Sequence, residues 1–253
     1  FLTIFMILIS SLSVSAKNPE NIVIVGDSIA TGFGLENYTA ENPENAKDSF
    51  ANIIADKCGL VYGENYFNLA VNGADSYSIN KRVSEISDEY LSSADTVILS
   101  VGGNDLLYTL GNVVGQAIDS QSELIDSYGI SIDTSSYYAV INTLVSIAAV
   151  DTDGTIMKKI QDECTNKAAE DTYKTACKNF EKNLNSILDK IYSANPSVKV
   201  YLLTLYNPFD SLSVLKDVND ISEKTVYMLN DIIKKSAEKN PENLFIIDAE
   251  KAF

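Results

Sequence analysis

The chain has 253 residues and 45% of them are apolar, which is enough to build the core of one domain. It has 35 acidic and 19 basic residues, so its formal net charge is −16. Such acidity argues against binding to nucleic acid, because the phosphate backbone would be repelled, and it fits a soluble protein outside the cell.

The first residues are typical of a secretory signal peptide. Residues 1–9 contain eight apolar side chains, and Val14 and Ala16 occupy the −3 and −1 positions of a cleavage site. We therefore interpret residues 1–16 as a partial signal peptide, whose start lies upstream, and residues 17–253 as the mature domain. The alternatives are a buried strand or an uncleaved anchor, although a membrane span needs about 20 apolar residues. We expect a secreted monomer without stable membrane insertion after cleavage, or an anchored protein if the segment is retained.

Short, uniformly apolar runs along the rest of the chain predict the strands of a parallel sheet that is covered on both faces. Segments with helical spacing of apolar residues lie between them, and this alternation indicates an α/β fold with a three-layer α/β/α arrangement. The five predicted strands are 21–26, 66–70, 96–101, 198–205 and 244–248.

Helical periodicity is clear in four segments, which are 48–58, 79–91, 167–194 and 218–237. Residues 105–165 are less regular, and Gly111, Gly115 and Gly129 are expected to interrupt their helices. The apolar stretch 136–150 either packs in the core or forms an acyl pocket or lid, and core packing is the commoner case.

The state of the three cysteines has two possible interpretations. Export would permit a disulfide between Cys164 and Cys177, but a continuous helix would hold them about 20 Å apart, so a break near Asn166 would be needed. The alternative is that Cys58, Cys164 and Cys177 are all buried free thiols.

Glycine and small polar residues follow each of the first three predicted strands, where open α/β sheets bind their ligands. Ser28 comes after the first strand on a tight turn, and this position suits a nucleophile. The backbone N–H groups of Ser28 and Gly73 and the side-chain amide of Asn104 could stabilise one oxyanion. Asp27 would support the turn. The plainer alternatives are that Ser28 and Asn104 cap helices and that Gly73 serves a turn.

These segments together resemble the conserved blocks of GDSL/SGNH hydrolases. Gly26-Asp27-Ser28-Ile29 is similar to the first block, with Ile where Leu is common, Asn72-Gly73 to the second and Gly102-Gly103-Asn104-Asp105 to the third. The resemblance implies the flavodoxin-like fold of that family, with Ser28 as nucleophile and Gly73 and Asn104 in the oxyanion hole. It extends from about residue 21 to 110 and then weakly to 248.

The fourth block of the family, Asp-x-x-His, carries the acid and the general base and has no counterpart here. The sequence contains no histidine, and Asp248 is not assigned as the acid. We expect a chain that is truncated at its C-terminus; a non-catalytic relative and a different base are the alternatives. Without a base, a serine hydroxyl is a poor nucleophile, so the 253 residues as written should be nearly inactive.

The sequence thus predicts a secreted serine ester hydrolase that forms an acyl-serine intermediate on a small-molecule, lipid or acylated carbohydrate ester. The alternative is a non-catalytic module that binds carbohydrate or another ligand on the same fold. We expect no cofactor and no metal, since Gly32-x-Gly34 lacks the spacing of a dinucleotide loop and no phosphate-binding loop occurs. Residues 151–154 resemble a calcium loop, but their spacing favours a surface turn.

Overall fold

The structure, a computed structural model, describes residues 18–86, 88–209 and 216–252. The segment interpreted as a signal peptide, residues 1–16, lies outside the described residues. Within these ranges, no helix combines the length and the apolar character that a membrane crossing requires.

A five-stranded parallel sheet forms the centre of the fold, in the order β2-β1-β3-β4-β5. This is the flavodoxin-like order, and its switch point lies between β1 and β3, where the chain's connections diverge to opposite faces. The prediction of an α/β fold with a five-stranded parallel sheet is confirmed. The strands are β1 (Ile22–Val25), β2 (Tyr66–Asn68), β3 (Thr96–Leu99), β4 (Lys199–Leu203) and β5 (Leu244–Ile247).

Ten α-helices connect or follow the strands in the described residues. They are α1 (Ser28–Thr31), α2 (Phe50–Cys58), α3 (Ser76–Glu85), α4 (Asp88–Ser93), α5 (Gly103–Ser120), α6 (Ser122–Asp126), α7 (Tyr137–Val150), α8 (Thr155–Cys164), α9 (Lys167–Ala194) and α10 (Lys216–Lys239).

Helices cover both faces of the sheet. On one face, Phe50 and Ile54 of α2 pack in a buried cluster with Ile22, Ile24 and Ile98 of the strands. The connection from β2 to β3 runs in the opposite direction, so right-handed crossover puts α3 on the other face. There Asn183 of α9 donates its side-chain amide to the Ser76 hydroxyl of α3 at 3.0 Å. Both faces of the central strands are thereby removed from water, which explains their uninterrupted apolar sequences.

The residues of the chain group into two compact units, each with its own internal contacts. Within the described residues, the first unit contains the sheet and includes the segment that ends at Asn104, Phe180–Tyr206 and the segment that begins at Asn230. The second consists of Asp105–Asn179 and Asn207–Leu229 and is helical in its described part. In that unit Val140, Leu144 and Ile147 of α7 are buried, so this face of the apolar stretch 136–150 packs in a core.

The single helix predicted for residues 79–91 is wrong. Ile86 has an extended backbone, with φ −64° and ψ 134°, and it ends α3 before α4 begins. Because the second helix starts in a new direction, Leu91 is buried and Tyr90, which the periodicity assigned to the inward stripe, is 37% exposed.

Gly111 and Gly115 do not interrupt a helix, contrary to expectation, since both lie inside α5. They allow close packing: a Cβ at Gly111 would come within 3.4 Å of Tyr137, and one at Gly115 within 3.5 Å of Thr134 and Val140. Only Gly129, with φ +73°, lies between helices as predicted.

All three cysteines are free thiols. The chain does break between α8 and α9, close to Asn166, but Cys164 and Cys177 are each buried without a bridge. Burial raises the pKa of the Cys164 thiol to about 12, with a smaller contribution from Glu163, so this thiol stays protonated and inert at neutral pH.

Candidate active site

The turn that carries Ser28 is organised by the carboxylate and carbonyl of Asp27. Asp27 is 2% exposed and is the N-cap of α1: its Oδ1 accepts a hydrogen bond from Ile29 N at 3.1 Å. Its carbonyl accepts from Ala30 N and Thr31 N, both at 3.1 Å. Among the described residues, neither the backbone N–H nor the hydroxyl of Ser28 has a partner. Ser28 is therefore not the helix cap, and its N–H remains available to a ligand.

Asp27 also ties this turn to the neighbouring strands. Ser100, directly after β3, donates its hydroxyl to Asp27 Oδ1 at 3.1 Å in a buried position. Tyr206, which follows β4, lies close enough that the negative charge of Asp27, after burial, raises the pKa of its phenol. The Tyr206 phenol therefore keeps its proton at neutral pH. Gly26 permits this packing, since a Cβ there would lie 2.7 Å from the Ser100 carbonyl.

The loop after β2 places Gly73 at the same edge of the sheet. Val71 N donates to the Gly26 carbonyl at 2.9 Å, so the loop is anchored to the end of β1. Ala74 N donates to the Val71 carbonyl at 3.2 Å and closes a β-turn. Gly73 is the third residue of that turn and has φ +72°, a conformation that glycine adopts without strain.

A short polar network joins this loop to the helix of Ser28. The Thr31 hydroxyl of α1 lies 2.5 Å from Asn72 Oδ1, and the Asn72 amide donates in turn to the Tyr38 hydroxyl. Asn72 immediately precedes Gly73. The network therefore fixes the glycine relative to the turn that carries Ser28.

Asn104 follows β3 and contacts the loop that carries Gly73. It lies in the first turn of α5, is buried, and donates its side-chain amide to the Ala74 carbonyl at 3.0 Å. An amide NH₂ group carries two donor hydrogens, so one remains for a ligand. The helix begins at Gly103, which means that Asn104 is not its N-cap.

The structure thus brings together all four residues that were singled out from the sequence. Asp27 contacts Ser100 after β3, Thr31 contacts the Gly73 loop, and that loop contacts Asn104, so direct hydrogen bonds link the ends of β1, β2 and β3. The catalytic roles of Ser28, Gly73 and Asn104 stay predictions. Asp248 lies after β5 and pairs with Lys251 at 3.1 Å.

The Thr31 network, Ser100 and Tyr206 were not predicted from the sequence. Ser100 and Tyr206 follow β3 and β4, so applying the strand-end rule to every residue after those strands would have found them. Nothing local in the sequence signals that Thr31 and Tyr38 meet Asn72.

Replacing Thr31 with valine is expected to lower kcat for ester hydrolysis about tenfold with little change in KM, because the Gly73 loop loses its attachment to α1 and a small displacement of a catalytic group is costly. Thr31→Ser keeps the hydroxyl and should restore most of the rate. Steady-state kinetics of both variants test this positioning role. Equal kcat values for Thr31→Val and the wild type would contradict it.

Gly32, which ends α1, offers a stability test. It has φ +78°, and a Cβ there would lie 2.7 Å from Ser49 Cβ, whereas Gly34, at φ +82°, has open space around it. Gly34→Ala should cost about 1 kcal/mol of unfolding free energy through backbone strain alone. Gly32→Ala adds the steric clash and should cost about 2–4 kcal/mol. Urea unfolding of the two variants measures the difference, and equal losses would contradict the crowding at Gly32.

No group of three or more histidine, cysteine, aspartate or glutamate residues in the described ranges is arranged to hold a metal ion. The segment that resembles a calcium loop instead caps α8. Asp151 Oδ2 accepts from Met157 N at 2.7 Å, and Asp153 Oδ1 accepts from Thr155 N at 3.0 Å.

Solved lipases share this fold. The chain superposes on the lipase Lip_vut3 from a goat rumen metagenome with a TM-score of 0.52 and 18% identity, covering 92% of this chain and 82% of the lipase. It superposes on phospholipase A1 from Streptomyces albidoflavus NA297 with a TM-score of 0.53 and 15% identity, over 89% and 78% of the two chains. For an extracellular lipase from Streptomyces rimosus the values are 0.51 and 14%, over 90% and 80%. At such identities the similarity establishes the fold alone.

The family of the chain is identified from its sequence. A comparison with curated proteins found no match. The model of the GDSL-like lipase/acylhydrolase family, however, matches residues 24–253, a range that includes every element of the site described above. The chain therefore belongs to the GDSL-like lipase/acylhydrolase family and is an ester hydrolase.

Proposed function

We propose that this ester hydrolase is an exported serine enzyme that forms its acyl intermediate on Ser28. The observation that carries the proposal is the hydrogen bonding of α1. Asp27 accepts from the N–H groups of Ile29, Ala30 and Thr31, and the N–H and hydroxyl of Ser28 are left free among the described residues. A free hydroxyl beside a free backbone donor suits a nucleophile that must also stabilise an oxyanion.

In the proposed reaction the Ser28 oxygen attacks the carbonyl carbon of the ester. The carbonyl oxygen becomes an oxyanion and accepts hydrogen bonds from Ser28 N–H, Gly73 N–H and the second amide hydrogen of Asn104. The bond to the alcohol oxygen then breaks, and the alcohol leaves with the proton that the serine lost. Water attacks the acyl-serine in the second half, which releases the carboxylic acid and regenerates Ser28.

The proton transfers require a general base. None of the 253 residues is a histidine, so we assign no residue of this stretch to that role. We assign Asp27 to the support of the turn, because its Oδ1 accepts hydrogen bonds from Ile29 N and the Ser100 hydroxyl. The contribution of the described site is therefore the nucleophile and the electrostatic stabilisation of the oxyanion.

The substrate class follows from this chemistry as a carboxylic ester of a small molecule, a lipid or an acylated carbohydrate. The test is the hydrolysis of p-nitrophenyl acetate and p-nitrophenyl octanoate by the product of the complete gene. We expect turnover of at least one ester, and the ratio of the two kcat/KM values separates a deacetylase from a lipase. Absence of turnover on both, with an intact circular dichroism spectrum, would contradict the proposal.

The alternative function is a non-catalytic module that binds an ester-bearing ligand on the same fold. A binding module would need the donors at Ser28, Gly73 and Asn104 without proton transfer. It predicts saturable binding of acylated sugars or lipids, measured by calorimetry, without release of acid over many hours.

Export is proposed on the apolar segment 1–9 and the cleavage pattern that ends at Ala16. N-terminal sequencing of the protein recovered from the culture medium should begin at Lys17. A mature protein that retains residues 1–16 would contradict cleavage and support an anchor.

A further inference from the structure

A cavity of about 350 Å³ lies between α3 and the segments that follow β1 and β2. Its volume is at the lower end of the range for small-molecule sites. Gly26 lines it and lies two residues before Ser28, and Ala74 lines it while its carbonyl holds Asn104. The remaining wall is mainly apolar, with Val25, Leu69 and Ile79 among its residues.

Two cations and one carboxylate of α3 line this cavity, which leaves a net positive charge of one: Lys81, Arg82 and Glu85. Lys81 and Arg82 of α3 both line it and are exposed to solvent. Lys81 pairs with Glu85 at 3.9 Å, whereas Arg82 forms no ion pair with a described residue. Arg82 is also the single arginine in a chain whose net charge is −16. A planar guanidinium matches carboxylate and phosphate groups, which the rest of this acidic surface would repel.

We propose that this cavity and its cationic rim bind the non-reacting end of an anionic ester. An apolar segment of the substrate occupies the cavity, and a carboxylate or phosphate on it pairs with Arg82, supported by Lys81. This inference rests on the proposed function, since it assigns a substrate class to the same site. The competing explanation for Arg82 is structural: it lies in the last turn of α3, where a cation stabilises the helix dipole.

The test compares esters that differ only in charge. The first pair is p-nitrophenyl hexanoate and mono-p-nitrophenyl adipate, which places the anion on the acyl group. The second pair is monooctanoylglycerol and its glycerol phosphate counterpart, which places the anion on the alcohol. The product of the complete gene should prefer the anionic member of at least one pair in kcat/KM, and the pair that shows the preference identifies the source of the anion.

Arg82→Gln should lower the ratio of anionic to neutral kcat/KM about tenfold, the effect of losing one charge-assisted hydrogen bond. Added salt should lower the wild-type ratio as well, because the rim is exposed and screened. Lys57→Gln is the matched control: Lys57 also lies in the last turn of a helix, α2, but outside this cavity, and its ratio should equal that of the wild type.

The outcomes distinguish a failure of the proposed function from a failure of the cationic pocket alone. Turnover of neither member of any pair overturns the proposed function. Turnover of the neutral esters without a preference for the anionic ones, or a ratio that Arg82→Gln leaves unchanged, overturns the cationic pocket alone. An equal fall of both kcat/KM values and of thermal stability in Arg82→Gln leaves the ratio unchanged and assigns Arg82 to the helix dipole.

Discussion

Ser28→Ala is expected to lower kcat for p-nitrophenyl ester hydrolysis by at least about 10³-fold, because the variant lacks the hydroxyl that carries the acyl group in the proposed mechanism. The side chain is small, and no described residue hydrogen-bonds to the hydroxyl, so the free energy of unfolding should change little. The measurement is the steady-state rate of p-nitrophenolate release, corrected for spontaneous hydrolysis, together with urea unfolding.

The control for this variant is Ser146→Ala. Ser146 donates its hydroxyl to the Asn142 carbonyl at 2.9 Å on the exposed side of α7, so the same atom is removed far along the chain from the strand ends. It should retain the wild-type rate. A Ser28→Ala protein that keeps more than about one-tenth of the wild-type rate would exclude Ser28 as the nucleophile.

Asn104→Ala is expected to have the second large effect on kcat. Removing one oxyanion donor typically lowers kcat by about 10²–10³-fold, and we expect a loss in this range with a small change in KM, since the donor acts on charge that develops in the transition state. The variant also loses the hydrogen bond to the Ala74 carbonyl, which should cost about 1 kcal/mol of stability.

Asn195→Ala separates these two effects. Asn195 likewise donates its side-chain amide to a backbone carbonyl, that of Ala94, at 2.9 Å. This contact lies just before β3, at the opposite end of the strand from Asn104. Asn195 also accepts a hydrogen bond from Ser197 N at 3.0 Å, so Asn195→Ala should lose at least as much stability as Asn104→Ala. Only Asn104→Ala should lose turnover. Equal rates for the two would assign Asn104 a structural role.

The sheet could be predicted because parallel strands buried on both faces are uniformly apolar, a pattern that is visible without any tertiary information. The helix α9 was predicted with its observed ends, Lys167 and Ala194, because a long amphipathic stripe and the following Asn-Pro define it locally. The switch-point rule then identified the strand ends that carry Ser28, Gly73 and Asn104.

The errors have tertiary causes. Gly111 and Gly115 looked like helix breaks, but a neighbouring segment packs against the surface that lacks side chains. The helix predicted for residues 79–91 ends at Ile86, although the apolar spacing continues through it. Periodicity shows which residues share a face and does not show where the chain changes direction.

The hydrogen bonds that hold the site together could not be predicted from the sequence either. Thr31 and Asn72 are 41 residues apart, and Asp27 and Ser100 are 73 apart, so only the fold shows that they meet. The same is true of Arg82, since only the fold shows that it lines one cavity with Val71 and Ala74.

The most direct test of the central claim is the reaction of the gene's complete product with a fluorophosphonate probe, read by peptide mass spectrometry. We predict one adduct, on the peptide that contains Ser28, which is absent in Ser28→Ala and present in Ser146→Ala. An adduct on a different residue, or ester turnover without any adduct on Ser28, would contradict it.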